Sequence, residues 1–274
     1  MYPAKTQSKF SDWYEKTDYA SLEWEGWNLP KSGQQNADCG KWAWRGCLNH
    51  TAHANGGIIA QTFRLCCFRS SCPVCSEQWA RRSTARIMHR LTHSKKNLKY
   101  LKHVVVSPPK WLQNKSIEEL RKEARKMAKR AGIQGGLDIV HPFRQRDGKW
   151  YLSPHFHYLA LGWVSKTDEI FQKNGWLVKN IGIRENPVGT VSYLLSHAGI
   201  KKRRHTVTWF GDLSYSKLKI EKLEFKVKCP DCDGDFQRLL CFKDGLVVEP
   251  PPIPFEFSDN HDGWKYWLEH VRGY

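Results

Sequence analysis

Between Trp150 and Gly162 apolar residues occupy both alternating sets of positions. Leu159 and Leu161 share a face with His155 and His157, while Phe156, Tyr158 and Ala160 share the other. Successive side chains of a strand point to opposite faces, so a run that is apolar on both reads as a central, buried strand. Gly135 to Arg144 reads as its hairpin partner, joined at Arg146-Asp-Gly-Lys149, a hairpin signal. Lys102 to Ser107, ended by Pro108-Pro109, predicts another strand, as do Trp176 to Ile183, Thr206 to Phe210 and Leu223 to Lys228.

Elsewhere the apolar period lengthens to that of a helix. Ser116 and Glu119 form a capping box before the stripe Ile117, Leu120, Ala124, Met127 and Ala131, and Gly132 stops the helix. Its other side, with Arg121, Lys122, Arg125, Lys126, Lys129 and Arg130, could face solvent or DNA, and solvent is preferred because Glu118 and Glu123 are interspersed. In Ser76 to Leu91 the apolar side is Trp79, Ala80, Ser83, Ile87 and Leu91, and Arg81, Arg82, Arg86 and Arg90 crowd the rest. A third helix opens at Asn186-Pro187 and is expected to end with Gly199 at C′. Val188, Val191, Leu195 and Ala198 make its stripe, whereas Tyr193 lies on the far side with Gly189, Thr190, Ser196 and His197. A tyrosine turned away from its helix's core face points to solvent or to a site.

Two imidazoles on one strand face, His155 and His157, can share a metal ion; a pair of satisfied core histidines is the plainer alternative. The hairpin register decides the third ligand. An odd loop sets His141 across from His155, an even one sets Asp138 facing His157, and His141 is preferred. A tyrosine beside a divalent metal suggests phosphoryl transfer, in which a phenolate attacks a phosphodiester to give a covalent phosphotyrosine. The metal, Mg²⁺ or Mn²⁺, would polarise the phosphate and offset charge on the leaving 3′ oxygen. His197, one turn from Tyr193, is placed to orient or deprotonate the phenol. No Gly-rich phosphate loop of the Walker type occurs, so a nucleotide cofactor is not expected.

His155-Phe156-His157 followed by Tyr193 in Val-Ser-Tyr-Leu-Leu-Ser-His-Ala-Gly resembles the HUH endonuclease superfamily, and within it the rolling-circle replication initiators of archaeal plasmids and viruses. The apolar strand His103-Val-Val-Val-Ser-Pro-Pro and the upstream Cys67-x4-Cys72-Pro-Val-Cys75 with its Trp/Arg-rich helix fit the same order of motifs, over roughly residues 39 to 210. Many relatives place a lysine one turn after the tyrosine; this chain has Ser196 and His197 there. The resemblance implies an α+β fold, a split ferredoxin-like HUH nuclease domain with a mostly antiparallel central sheet, plus zinc-binding modules. It also implies a replication initiator that nicks and rejoins single-stranded origin DNA through a 5′-phosphotyrosine on Tyr193. Strand separation would come from elsewhere, with a host helicase and polymerase as candidate partners. A single-tyrosine transposase and a non-catalytic zinc-dependent DNA-binding protein are the alternatives.

Composition agrees with a nucleic-acid substrate. The 44 Lys+Arg against 27 Asp+Glu give a formal charge of +17, which suits a binder of phosphate backbone. Arg82, Arg86 and Arg90 on the arginine helix and Lys201-Lys202-Arg203-Arg204 after the tyrosine helix are the expected contacts. Thirteen tryptophans add stacking surface. No run of about 20 apolar residues and no signal-peptide apolar region is present, so a cytoplasmic location on plasmid or viral DNA is expected, with no membrane partner. Nine cysteines in a reducing compartment then read as metal ligands or free thiols rather than disulfides. Cys72-Pro-Val-Cys75 with Cys67 and Cys47 is one expected structural zinc set, with Cys66, Cys39, His50 and His53 also near. Cys229-Pro-Asp-Cys232 is a second knuckle, with Cys241 and His261 nearby, or Cys39 or Cys47 borrowed from the N-terminal part. Three segments are expected: 1–95 with the first zinc module, 96–215 as the nuclease core, and 216–274 with the second knuckle and a Pro/aromatic tail.

Overall fold

A computed structural model describes residues 22–54, 56–94, 97–243, 246–248 and 264–267. In chain order the strands and helices are β1 (Glu23–Trp24), β2 (Trp27–Asn28), β3 (Trp42–Cys47), β4 (Ile58–Arg64), α1 (Ser76–Thr92), β5 (Lys102–Ser107), α2 (Ile117–Arg130), β6 (Ile133–Arg146), β7 (Lys149–Gly162), α3 (Thr167–Asn174), β8 (Leu177–Ile183), α4 (Pro187–Ser196), β9 (Val207–Gly211), β10 (Gln237–Leu239), β11 (Cys241–Lys243), β12 (Leu246–Val248) and β13 (Trp264–Trp267). The fold is mixed α+β with antiparallel sheets. Two compact units are present: Met1–Gln35 with Phe68–Lys222, and Asn36–Cys67 with Leu223–Tyr274.

These units differ from the three consecutive segments expected. Residues 22–35 belong with the histidine strands, because Asn28 and Ile200 exchange N–H···O bonds of 2.9 Å each way and Leu22 and Leu29 pack on Phe143 and Leu152. In the other unit the β3–β4 hairpin is flanked by β10 and β13, so residues from the C-terminal part complete a sheet begun near residue 42. Leu223 to Lys228 is not a strand; only Lys228 forms a bridge, to Asp235. Glu249 to Pro252, the Phe255 and Phe257 aromatics, His261 and the N-terminal Trp13, Tyr14 and Tyr19 lie outside the described residues.

The first unit is built on one sheet in the order β8-β5-β7-β6-β9, with every neighbour antiparallel. Alternation divides its side chains between two helix layers. Val104, Val106, Val140, Phe156, Tyr158 and Ala160 pack with Ile117, Leu120, Ala124 and Met127 of α2 and Ile170 of α3. Leu137, Ile139 and Leu159 on the opposite face pack with Ile87 and Leu91 of α1 and Val191, Leu194 and Leu195 of α4. The α2 capping box forms as expected, Ser116 Oγ accepting from Glu119 N–H while the Glu119 carboxylate accepts from Ser116 N–H. Two details of α4 differ from expectation. Val188 is 52% exposed and Leu194 takes its place in the buried stripe, because the helix rests on Val191, Leu194 and Leu195. Gly199 does not adopt the left-handed cap conformation; it is small because Pro142 and the Trp27 ring would meet a Cβ at 2.6 and 3.1 Å.

The β6–β7 turn decides which side chains meet. Asp147 and Gly148 form the two-residue loop, at φ 51° and 76°, the left-handed conformation that a primed hairpin turn requires. That even loop alone would set Asp138 opposite His157. Phe143 pairs with Leu152 but His141 pairs with His155, so Ser153 and Pro154 stand opposite Pro142 alone. Neither proline can donate to the ladder, which makes this the natural place for a bulge. The extra residue shifts the register by one, pairing His141 with His155 and Asp138 with Tyr158.

Candidate metal centre and tyrosine site

The bulge brings three imidazoles together. One nitrogen each of His141, His155 and His157 lies within 4.8 Å of the others, a group able to hold a metal ion. His155 Nδ1 lies 2.7 Å from the Ser153 carbonyl oxygen. A carbonyl can only accept, so Nδ1 carries the proton and Nε2 is left with its lone pair. His157 Nδ1 lies 2.7 Å from His103 Nε2, and His103 thereby orients His157 as outer partners of metal-bound histidines do. His141 is fully buried and its ring nitrogens make no hydrogen bond of ordinary geometry; the Leu194 carbonyl acts on it only weakly. Burial, then the charges of neighbouring groups, holds these imidazoles neutral: His155 is lowered to about 3, His103 to about 4, and His141 and His157 well below the ordinary value. Neutral imidazole nitrogens are the kind of donor that a transition-metal ion takes.

Tyr193 stands next to this cluster. Its ring centroid is 4.7 Å from that of His197, and the His197 ring is 4.6 Å edge-on to His141. Asn186 caps α4 by accepting from Gly189 N–H at 2.8 Å, and Gly189 is a glycine because a Cβ would strike that cap. The helix buries Val191, Leu194 and Leu195 and leaves Tyr193 67% exposed. His197 follows the last helical residue, and burial lowers its pKa, so it is neutral near pH 7.

Asp138, the alternative third ligand, is on the opposite face. Arg121 pairs with one carboxylate oxygen, and Arg125 Nη2 (2.8 Å) and Thr208 Oγ1 (2.9 Å) with the other. It does not meet the histidines, and the α2 face assigned to solvent instead contributes these two arginines. Arg90, expected on DNA, is buried: its guanidinium donates to the carbonyls of Leu213, Ser214 and Leu218 at 2.7–2.9 Å. A side chain in the a/d-like interior of α1 cannot reach a phosphate. Arg82 lies over the Phe68 ring at 3.4 Å, and Arg86 is exposed. Lys201 and Arg204 both reach Glu118, at 3.8 and 3.0 Å, whereas Lys202 and Arg203 are exposed.

Two further groups could each hold zinc, one of four cysteines and one of three cysteines with a histidine. The second lies within one unit and consists of Cys47, His53, Cys229 and Cys232. Cys47 therefore joins the C-terminal knuckle rather than the N-terminal one, because β10 follows that knuckle and pairs with β3, whose last residue is Cys47. His53 Nδ1 donates to the Gly57 carbonyl at 2.6 Å, which turns Nε2 to Cys229 Sγ at 3.3 Å and Cys232 Sγ at 3.4 Å. Gly234 approaches so closely that a Cβ would lie 3.1 Å from both Cys47 and Cys232 sulfurs. The N–H of Gly234 is the main cause that brings Cys232 down to about 7, while burial pushes Cys47 up to about 11. Of the cysteines expected in the N-terminal knuckle, Cys72 and Cys75 belong to the first unit and Cys67 to the second. Cys72 accepts from the N–H groups of Cys75 and Ser76 as the chain turns into α1.

Sequence reasoning missed His103 as an outer partner and Arg121 and Arg125 as the counter-ions of Asp138. The alternation of β5 carried a signal for the first, since His103 sits two positions from Val105, the residue paired with His157. No family model matches the chain, and neither a curated protein nor a solved structure does. Among the described residues no helix is long and apolar enough to cross a membrane.

Proposed function

We propose that the first unit is an HUH-type nuclease of the split ferredoxin-like kind, nicking and rejoining single-stranded DNA at a replication origin. The observation that carries this reading is the ring sequence from Tyr193 through His197 to His141 and so to the three-histidine group. A tyrosine exposed on a helix and a buried set of neutral nitrogen donors are what a phosphotyrosine mechanism needs, and the antiparallel sheet with helices on both faces is compatible with the fold.

In this reading Tyr193 gives its phenolic proton to His197 and its oxygen attacks the scissile phosphorus. The bond from phosphorus to the 3′ oxygen breaks, that oxygen leaves and takes up a proton, and the 5′ phosphate remains on Tyr193. Rejoining is the reverse, a 3′ hydroxyl attacking the phosphotyrosine. A divalent ion held by His141, His155 and His157 would polarise the phosphate and offset charge on the leaving oxygen. Three imidazoles suit Mn²⁺ better than Mg²⁺, which prefers oxygen ligands and keeps its waters. Zinc held by Cys47, His53, Cys229 and Cys232 would be structural, since four protein ligands leave no open position.

Mass spectrometry tests both parts. Protein purified without chelator should retain zinc in its native mass. After incubation with a single-stranded origin oligonucleotide and Mn²⁺, the denatured mass should increase by the 5′-phosphorylated product strand. Tyr193→Phe should lose the adduct by a factor on the order of 10⁴ or more while binding the strand normally. Binding without any adduct in wild type would leave a DNA-binding protein without this chemistry.

A further inference from the structure

Arg144 is a half-buried arginine beside the histidines that none of these roles uses. Arg121 and Arg125 are engaged by Asp138 and Arg90 by three carbonyls, but Arg144 Nη2 donates to a neutral acceptor, Ser107 Oγ, at 3.0 Å. Among the described residues no carboxylate pairs with Arg144. Its position is set by two strands. Ser107 ends β5 one residue beyond Val106, which pairs with Phe156, so Ser107 lies alongside His155. Arg144 itself follows the Pro142 bulge on β6 and pairs with Tyr151.

Charge makes the arrangement informative. Three neutral imidazoles bring no negative charge, so an ion of charge +2 among them and a guanidinium next to them repel each other in a poorly solvated space. An anion shared by the two removes the repulsion. The guanidinium fork matches two oxygens of a phosphate, and one hydrogen bond to Ser107 orients it while leaving other N–H groups to donate. We propose that Arg144, oriented by Ser107, binds the non-bridging oxygens of the phosphodiester presented to the three-histidine site. The identity of that ligand rests on the nicking reading; the need for an anion rests on the charges alone. Arg144 is then a binding residue for the backbone of the strand, independent of its base sequence.

The test is the salt dependence of single-strand binding in Mn²⁺, measured by fluorescence anisotropy with a labelled oligonucleotide on the full chain as purified. Loss of one phosphate contact should make the slope of log K against log salt shallower by about 0.7. Arg144→Gln should show that change with a folded far-UV spectrum, and Arg144→Lys should keep the slope but bind more weakly than wild type because the fork is gone. An unchanged slope in Arg144→Gln overturns the proposal, including the case where its melting temperature falls together with that of Ser107→Ala, which would mark a structural role. Should Arg144→Gln not fold, wild-type affinity in Arg144→Lys overturns it. If wild type forms no tyrosine adduct yet Arg144→Gln changes the slope, the nicking reading fails and the phosphate contact stands.

Discussion

On one face of the β6–β7 ribbon Asp138 is wholly buried and receives Arg121, Arg125 and Thr208; on the other His141 is wholly buried among His155, His157 and His197. Both are polar groups removed from water, yet only the first has its partners built in. Burial without a partner is costly, so an ordinary core position is satisfied by the protein itself, as Asp138 is. On the histidine face one ring nitrogen each of His141, His155 and His157 lies within 4.8 Å of the others. At His141 the contrast separates a group whose partners hold the fold together from a member of a cluster that could hold a metal ion.

The largest effect should come from breaking the satisfied face. Asp138→Ala leaves two arginines without their carboxylate, one of them largely buried, and should lower stability by about 3–5 kcal/mol. Urea unfolding followed by fluorescence measures this. Adduct formation per folded molecule should be unchanged, because Asp138 faces away from the histidines; a stable variant that no longer forms adduct would place Asp138 in the chemistry and dissolve the contrast.

A smaller effect sharpens the other face. His103→Phe removes the partner at 2.7 Å from His157 Nδ1, freeing that ring to rotate. Loss of an outer partner of this kind weakens metal affinity by about 10–100-fold. Titration with Mn²⁺ by calorimetry should show that loss in a protein that still folds, and wild-type affinity would mean that His103 does not orient the ligand.

Strands β5 to β9, the capped helix α2, the Asp147-Gly148 turn and the placement of Tyr193 away from its helix core were legible because each rests on local rules of period, capping or turn chemistry. The third ligand was legible only as a pair of alternatives. The observed two-residue loop would by itself favour Asp138, and the bulge between Pro142 and Ser153-Pro154 reverses it, an effect of two missing N–H donors that alternation does not register. Arg90 and Arg121 illustrate a second limit. On a helical wheel they look like solvent-facing cations, yet carbonyls far along the chain for Arg90, and Asp138 for Arg121, supply acceptors that draw them inward. Cys47 shows a third, since the sequence offered it to either knuckle, and the pairing of β10 with β3 accompanies its place beside Cys229 and Cys232.

The smallest expected effect is also the most direct test of the contrast, because its sign is opposite to that at Asp138. His141→Leu exchanges a wholly buried imidazole for an apolar side chain of similar size. A buried polar group without a good hydrogen bond costs about 1–3 kcal/mol, and part of that gain is returned through imperfect packing against His155, His157 and His197. Metal-free His141→Leu should therefore be as stable as wild type or more stable by about 1 kcal/mol. Adding Mn²⁺ should raise the melting temperature of wild type by mass action and leave that of the variant nearly unmoved, since two histidines remain where three converged. A metal-free variant less stable by more than about 2 kcal/mol would show that the His141 ring is held by the core as firmly as Asp138 is. The two faces of the ribbon would then be alike, and the case for a cation at the histidines would rest on the binding titration alone.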